Sequence, residues 1–110
     1  MRQRDIYWAS LNLGRGREQQ GRRPVVIVSG DALNANLGIC IACPISSKIK
    51  NYAGCLTLLN NRTNNLPTDS AVLVFQIRAL AKERLIKKIG EITISELKKI
   101  TELLNEILIY

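Results

Sequence analysis

The chain has 110 residues, 46% of them apolar, with 16 Lys/Arg against 9 Asp/Glu and no histidine. That is the size of a single domain, residues 1–110, able to bury roughly two-thirds of its unfolded surface without disulfides or metal. A net charge of +7 excludes an acidic solvating chain; the missing histidine removes the commonest general base and metal ligand, and no apolar run reaches the ~18 residues that cross a bilayer.

Asp5–Leu11 reads as a first strand, aromatic and β-branched in its middle. Residues 12–23 form a polar, glycine-rich loop, and Val25–Ser29 is a β-branched run suited to a central strand. Pro24 fits the first position of that strand and holds Arg23 in extended geometry. Asp31 is placed to cap a short helical turn through Asn34. A third strand spans Ile39–Ile45, ended by Pro44 and the hydroxyl pair Ser46-Ser47. Lys48–Tyr52 makes a second basic loop, and Gly54–Leu59 a fourth strand. Asn60–Asp69 is turn-rich and reads as an exposed connection of low functional weight. Ser70–Phe75 and Ile77–Leu80 form the last strand or strand pair.

The C-terminal third changes period. Thr93-Ile94-Ser95-Glu96 fits a capping box, and Leu97, Ile100, Leu103, Leu104, Ile107 and Leu108 recur at helical spacing. One apolar stripe of about four turns would cover the sheet. Short, closely spaced strands followed by one helix predict a mainly β, α+β domain built as a small curled antiparallel barrel.

Charge and cysteine narrow the setting. Residues 1–65 carry nine Lys/Arg and three Asp/Glu, while residues 66–110 carry seven and six. Positive charge gathered in one half points to a polyanion, nucleic acid first. Cys40, Cys43 and Cys55 are an odd count with no secretory leader ahead of them, which predicts a reducing cytoplasm. Cys40 and Cys43 match C-x-x-C, but residues three apart on a strand face opposite sides, so neither a redox pair nor a zinc site is expected.

Chemistry concentrates at Gly16–Pro24. Three arginines, one carboxylate and two amides lie between glycines and a strand. Guanidinium forks match phosphate oxygens two at a time. With no histidine and scattered carboxylates, no metal or cofactor is expected, and RNA cleavage would take the route in which the ribose 2′-hydroxyl attacks its own phosphodiester. An arginine would neutralise charge on the phosphorane, Glu18 would accept the 2′ proton, and Ser46 and Ser47 would donate to a non-bridging oxygen. Each residue has a plainer reading: Glu18 as a loop ion pair, Arg22 and Arg23 as phosphate clamps, the serines as a strand-end turn. Tyr7 and Trp8 read as core or interface before base stacking, and Arg78 as a structural or a functional cation.

Asp5–Ala9, Glu18–Val26, Cys43–Ser47, Gln76-Ile77-Arg78 and Lys82–Leu85 occur in the order and spacing of the MazF/PemK toxin family, which the chain resembles over nearly its whole length. The resemblance implies an SH3-like barrel with a C-terminal helix, a homodimer, and the toxin of a type II toxin–antitoxin pair. It implies a metal-independent, sequence-selective endoribonuclease that cuts single-stranded RNA to a 2′,3′-cyclic phosphate and a 5′-hydroxyl. By motif position Arg23 is the catalytic arginine, Ser46 falls where many members carry a catalytic threonine, and Glu18 matches a loop glutamate implicated in some. Arg17, Arg22, Lys48 and Lys50 would track the RNA backbone, while Gln20 and the loop at 46–52, Ser47 included, would read bases. Departures are Phe75 for an acidic residue, Leu73 for a basic one, Arg17 for a small residue or histidine, Arg4 for a glycine and Ala81 for an aspartate. An acidic antitoxin segment, encoded beside this gene, is the implied protein partner. The alternatives are a weakened or inactive RNA-binding barrel of the same fold and, below it, a gyrase poison, whose tryptophan-bearing tail has no counterpart in Leu108-Ile109-Tyr110.

Overall fold

The computed structural model describes residues 1–11, 21–49 and 53–109. Within them run β1 (Asp5–Ser10), β2 (Arg22–Ile27), α1 (Asp31–Asn36), β3 (Ile39–Ser46), β4 (Cys55–Leu58), β5 (Ser70–Leu73), β6 (Arg78–Ala81), β7 (Leu85–Glu91) and α2 (Ile94–Ile109). Short 3-10 turns at Val74–Gln76 and Lys82–Arg84 join β5 to β6 and β6 to β7. The strands form one antiparallel sheet in the order β4-β5-β3-β2-β1-β7, with β6 alongside β3. With extents of 33 × 33 × 31 Å the domain is nearly spherical, an α+β fold whose sheet curls like a barrel although the described strands do not close a hydrogen-bonded ring.

β3 changes partner along its length. Ile39–Ala42 pair with β6, whereas Ile45 and Ser46 pair with β5. Pro44 therefore lies inside the strand and does not end it. Lys82 N–H bonds the Gly38 carbonyl, so even-numbered residues here turn their backbone groups toward β6. The nitrogen of Pro44 points to that side, between the last residue paired with β6 and the first paired with β5, so its missing N–H falls where the ladder changes partner. β2 also differs from expectation: it starts at Arg22, three residues early, with Pro24 third in the strand. Pairing with β3 begins only at Val25, so this proline too sits beside an open stretch of ladder.

Alternation across β2 and β3 feeds two cores. Val26, Cys43 and Ile45 join Ile6, Val72, Val74, Ile92 and Ile100 beneath α2. Val25, Ile27, Cys40 and Ala42 join Ala9, Leu11 and Leu80 on the other face. Cys40 and Cys43 thus enter different cores, as a strand's two-residue period requires. Burial pushes both thiols up, that of Cys43 to about 12, which keeps them neutral and unreactive near neutrality.

The helix forms as its capping box dictates. Thr93 Oγ1 accepts the Glu96 N–H at 3.1 Å, and Glu96 Oε1 accepts the Thr93 N–H at 2.8 Å. Ile100 is fully buried, and Leu97, Leu103, Leu104 and Ile107 pack on the same core. Leu108 does not: it is 76% exposed, because the last turn has run past the core edge.

Three local expectations are corrected. Asp31 is the first residue of α1, not its cap; Gly30 takes that place, and the carboxylate accepts the Gln3 N–H at 2.7 Å. Residues 85–91 form the edge strand β7, which the sequence reading left unassigned. Register breaks opposite Ile6/Tyr7 and Trp8/Ala9 spoil its alternation. The Asn60–Asp69 connection is exposed along most of its length but not throughout. Asn64 is buried, its Oδ1 accepting from Asn61 and Leu66 N–H groups and its Nδ2 donating to the Leu59 carbonyl, while Leu66 enters the core.

Gly90 is where β7 meets this connection: a Cβ there would lie 2.2 Å from the Asn64 carbonyl oxygen. Gly90→Ala should destabilise the fold by about 2 kcal/mol or more, read as a lower urea midpoint; an unchanged midpoint would refute the close packing. Cys43 sets a second expectation. Its folded-state thiol titrates at about 12 against an ordinary 9.0, so the stabilisation is complete below the lower value. It should be lost as pH rises toward the higher, at about 1.4 kcal/mol per pH unit. Urea midpoints across that range should fall less steeply in Cys43→Ala than in the parent chain.

Candidate active site

The sequence-selected residues that the structure describes gather at one rim of the sheet. Arg22 and Arg23 open β2, both exposed, with Arg22 opposite Ser10 and Arg23 opposite Ala9. Gly21, at φ +79°, precedes them in a left-handed conformation that suits glycine. The Leu11 N–H bonds its carbonyl at 2.8 Å, pinning the root of the loop between β1 and β2.

Ser46 closes β3. The pairing of β2 with β3 stops at Val25–Pro44, two residues short of Arg23 on one strand and of Ser46 on the other. The faces agree as well: Arg23 follows the parity of Val25 and Ile27, and Ser46 that of Cys40 and Ala42, all four of which belong to the second core. An exposed arginine and a largely buried serine thus share a face of two neighbouring strands, each just beyond the last paired residues. Ser46 Oγ accepts the Lys48 N–H at 3.1 Å, which uses a lone pair and leaves its own proton to be donated. Ser47 and Lys48 follow, both exposed. Glu18, Arg17, Gln20 and Lys50 lie outside the described residues.

Other predicted positions fall elsewhere. Tyr7 is half-buried and packs on the second core, and Trp8 is half-buried opposite Pro24. Arg78 pairs with Ala42 in the middle of β3 and, with Phe75, Gln76, Ile77 and Ala79, lines a cleft of about 390 Å³. Phe75, where an acidic residue was expected by resemblance, is 44% exposed there. The reading from residues alone missed Arg84, whose Nη1 donates to the Ser10 carbonyl at 3.4 Å. Its only sequence signal was its place in the Lys82–Leu85 segment. Among the described residues no group of three or more His, Cys, Asp or Glu is placed to hold a metal ion.

Comparison with known proteins gives this rim its context. Residues 2–108 match the model of the "PemK-like, MazF-like toxin of type II toxin-antitoxin system" family. The chain is 34% identical over 110 residues to endoribonuclease MazF9 of Mycobacterium tuberculosis, covering 96% of this chain and 93% of that one. It is 34% identical over 107 residues to endoribonuclease MazF of Staphylococcus saprophyticus, covering 96% and 88%. Its fold superposes on MazF of Deinococcus radiodurans with a TM-score of 0.86 at 27% identity, over 98% of this chain and 96% of that one. A MazE–MazF structure from the same organism gives 0.78 at 26% identity, over 98% and 95%. Sequence match over nearly the full length and the shared architecture lead to one conclusion: the chain belongs to the PemK-like, MazF-like family of type II toxin–antitoxin toxins.

Proposed function

We propose that this toxin is an endoribonuclease that cuts single-stranded RNA at the Arg23–Ser46 rim without a metal. In this reading the 2′-oxygen attacks the adjacent phosphorus and loses its proton, while the bond from phosphorus to the 5′-oxygen breaks and that oxygen gains a proton. The products are a 2′,3′-cyclic phosphate and a 5′-hydroxyl. Arg23 stabilises the charge that builds on the phosphorane oxygens. Ser46 donates its remaining hydroxyl proton to a non-bridging oxygen, and Glu18 takes the 2′ proton. Fixed donors aimed at developing charge contribute ~3–4 kcal/mol each in comparable oxyanion sites.

The observation that supports the reading is that Arg23 and Ser46 lie on the same face of neighbouring strands, each two residues beyond the Val25–Pro44 pair. Arg22, Ser47 and Lys48 flank the pair, all exposed; with Arg17, Lys50 and Gln20 they supply backbone contacts and base reading. Single-stranded RNA is the substrate whose bases such loops can reach. Support for the chemistry also comes from the endoribonuclease relatives at 34% identity.

The partners follow from charge and kinship. A structural neighbour is a MazE–MazF assembly, and a basic rim that cuts RNA needs an acidic segment to cover it. The antitoxin is therefore an acidic chain from a neighbouring gene, the toxin acts as a homodimer, and both work in the cytoplasm. No described helix is long and apolar enough to cross a membrane.

Purified protein should cleave a long RNA in excess chelator, leaving ends that a kinase labels without prior phosphatase treatment. Arg23→Ala should lower the cleavage rate ~10²–10³-fold while the fold survives, and Arg23→Lys should recover little, since one ammonium cannot reproduce the fork. Ser46→Thr should retain activity that Ser46→Ala loses. Binding of an uncut RNA should weaken with log salt at a slope of roughly −3 if about four phosphates are neutralised. Intact RNA with binding retained would replace the nuclease with a binding module.

A further inference from the structure

The arginine pair on β2 is not the end of the basic rim. Arg84 ends the 3-10 turn that leads into β7, directly before Leu85, which pairs with Ala9. Ala9 in turn pairs with Arg23. One residue back along the same ladders, Arg84 stands beside Ser10, and Ser10 pairs with Arg22. Two rows therefore cross the rim in parallel: Leu85, Ala9 and Arg23 in one, Arg84, Ser10 and Arg22 in the other. With strands about 4.8 Å apart, the Arg84 backbone lies roughly 10 Å from that of Arg22, on the side away from Ser46.

The state of the Arg84 side chain matters as much as its place. It is half-buried, and one of its five donors reaches the Ser10 carbonyl. No carboxylate among the described residues lies within ion-pair distance of it; Asp5, by contrast, is held by Lys88 at 3.1 Å. Arg84 keeps part of its surface exposed, and among the described residues no second hydrogen bond from its guanidinium is found. A partly exposed cation braced against the sheet by one carbonyl, in the same row as Arg22, keeps donors that a phosphate can use.

We propose that Arg84 holds an RNA phosphate neighbouring the one that is cut, extending the backbone track from β2 across β1 to the start of β7. The proposal rests on the nuclease reading and adds to it a positioning residue outside the two loops. A purely structural Arg84, bracing β1 through Ser10, is the competing reading.

The test separates charge from bracing. Arg84→Gln keeps a donor for the Ser10 carbonyl and removes the charge; Arg84→Lys keeps the charge. Binding of a mixed-sequence single-stranded RNA is measured against salt, each variant being made in the Arg23→Ala background so that the RNA stays intact. The expected result is a salt slope shallower by about 0.7 in Arg84→Gln, with equal weakening for unrelated RNA sequences and recovery of the slope in Arg84→Lys. With Arg23 restored, Arg84→Gln should raise KM severalfold and leave kcat nearly unchanged. A slope unaltered by Arg84→Gln, or a loss confined to kcat, overturns the proposal. Failure of the nuclease reading itself would show separately, as an Arg23-containing parent chain that leaves RNA uncut.

Discussion

The partner exchange along β3 is the constraint on which the rest of this molecule depends. One strand of eight residues serves two neighbours in turn, and the sheet curls because it does. Pro44 marks the place: a residue that cannot donate a hydrogen bond occupies the stretch of that flank between the two pairings. By staying in strand through the exchange, β3 carries Ser46 to the rim at which β2 begins. Had the strand stopped at the proline, the serine would sit on a loop and lose its fixed relation to Arg23.

Both strands of that pair are held from two sides. Their alternate side chains enter separate cores, one under α2 and one on the opposite face. The backbone beneath Arg23 and Ser46 therefore cannot tilt toward either face without disturbing packed residues. Catalysis by charge stabilisation depends on donors that need no rearrangement as charge develops. A sheet clamped on both faces supplies that stiffness.

How much was legible beforehand varied with how local the signal was. The capping box at Thr93–Glu96 and the stripe from Leu97 to Ile107 were readable because a helix is specified by neighbours three and four residues apart. The opposed directions of Cys40 and Cys43 followed from strand period alone. Pro44 misled, since a proline normally ends a strand and only the tertiary exchange of β6 for β5 makes it harmless. β7 was missed because two breaks in register hide its alternation. Asn64 was hidden differently: asparagine-rich composition looks like an exposed turn, and nothing local says that one amide is buried or that Gly90 abuts its carbonyl. At the site, Arg23 and Ser46 could be named from motif position, but their common face is a property of two paired strands, and Arg84 comes into line with Arg22 only through its bond to Ser10.

β7 ends the sheet, and an outermost strand offers its unpaired amides and carbonyls to any other chain that drifts past. Two bulges bend this one, and the adjacent Lys87 and Lys88 stand exposed along it. A second molecule trying to add on edge to edge would meet a kinked template and bring like charges together. The irregularity that concealed the strand from sequence reading thus also guards a small, sheet-rich protein against fibrous self-association.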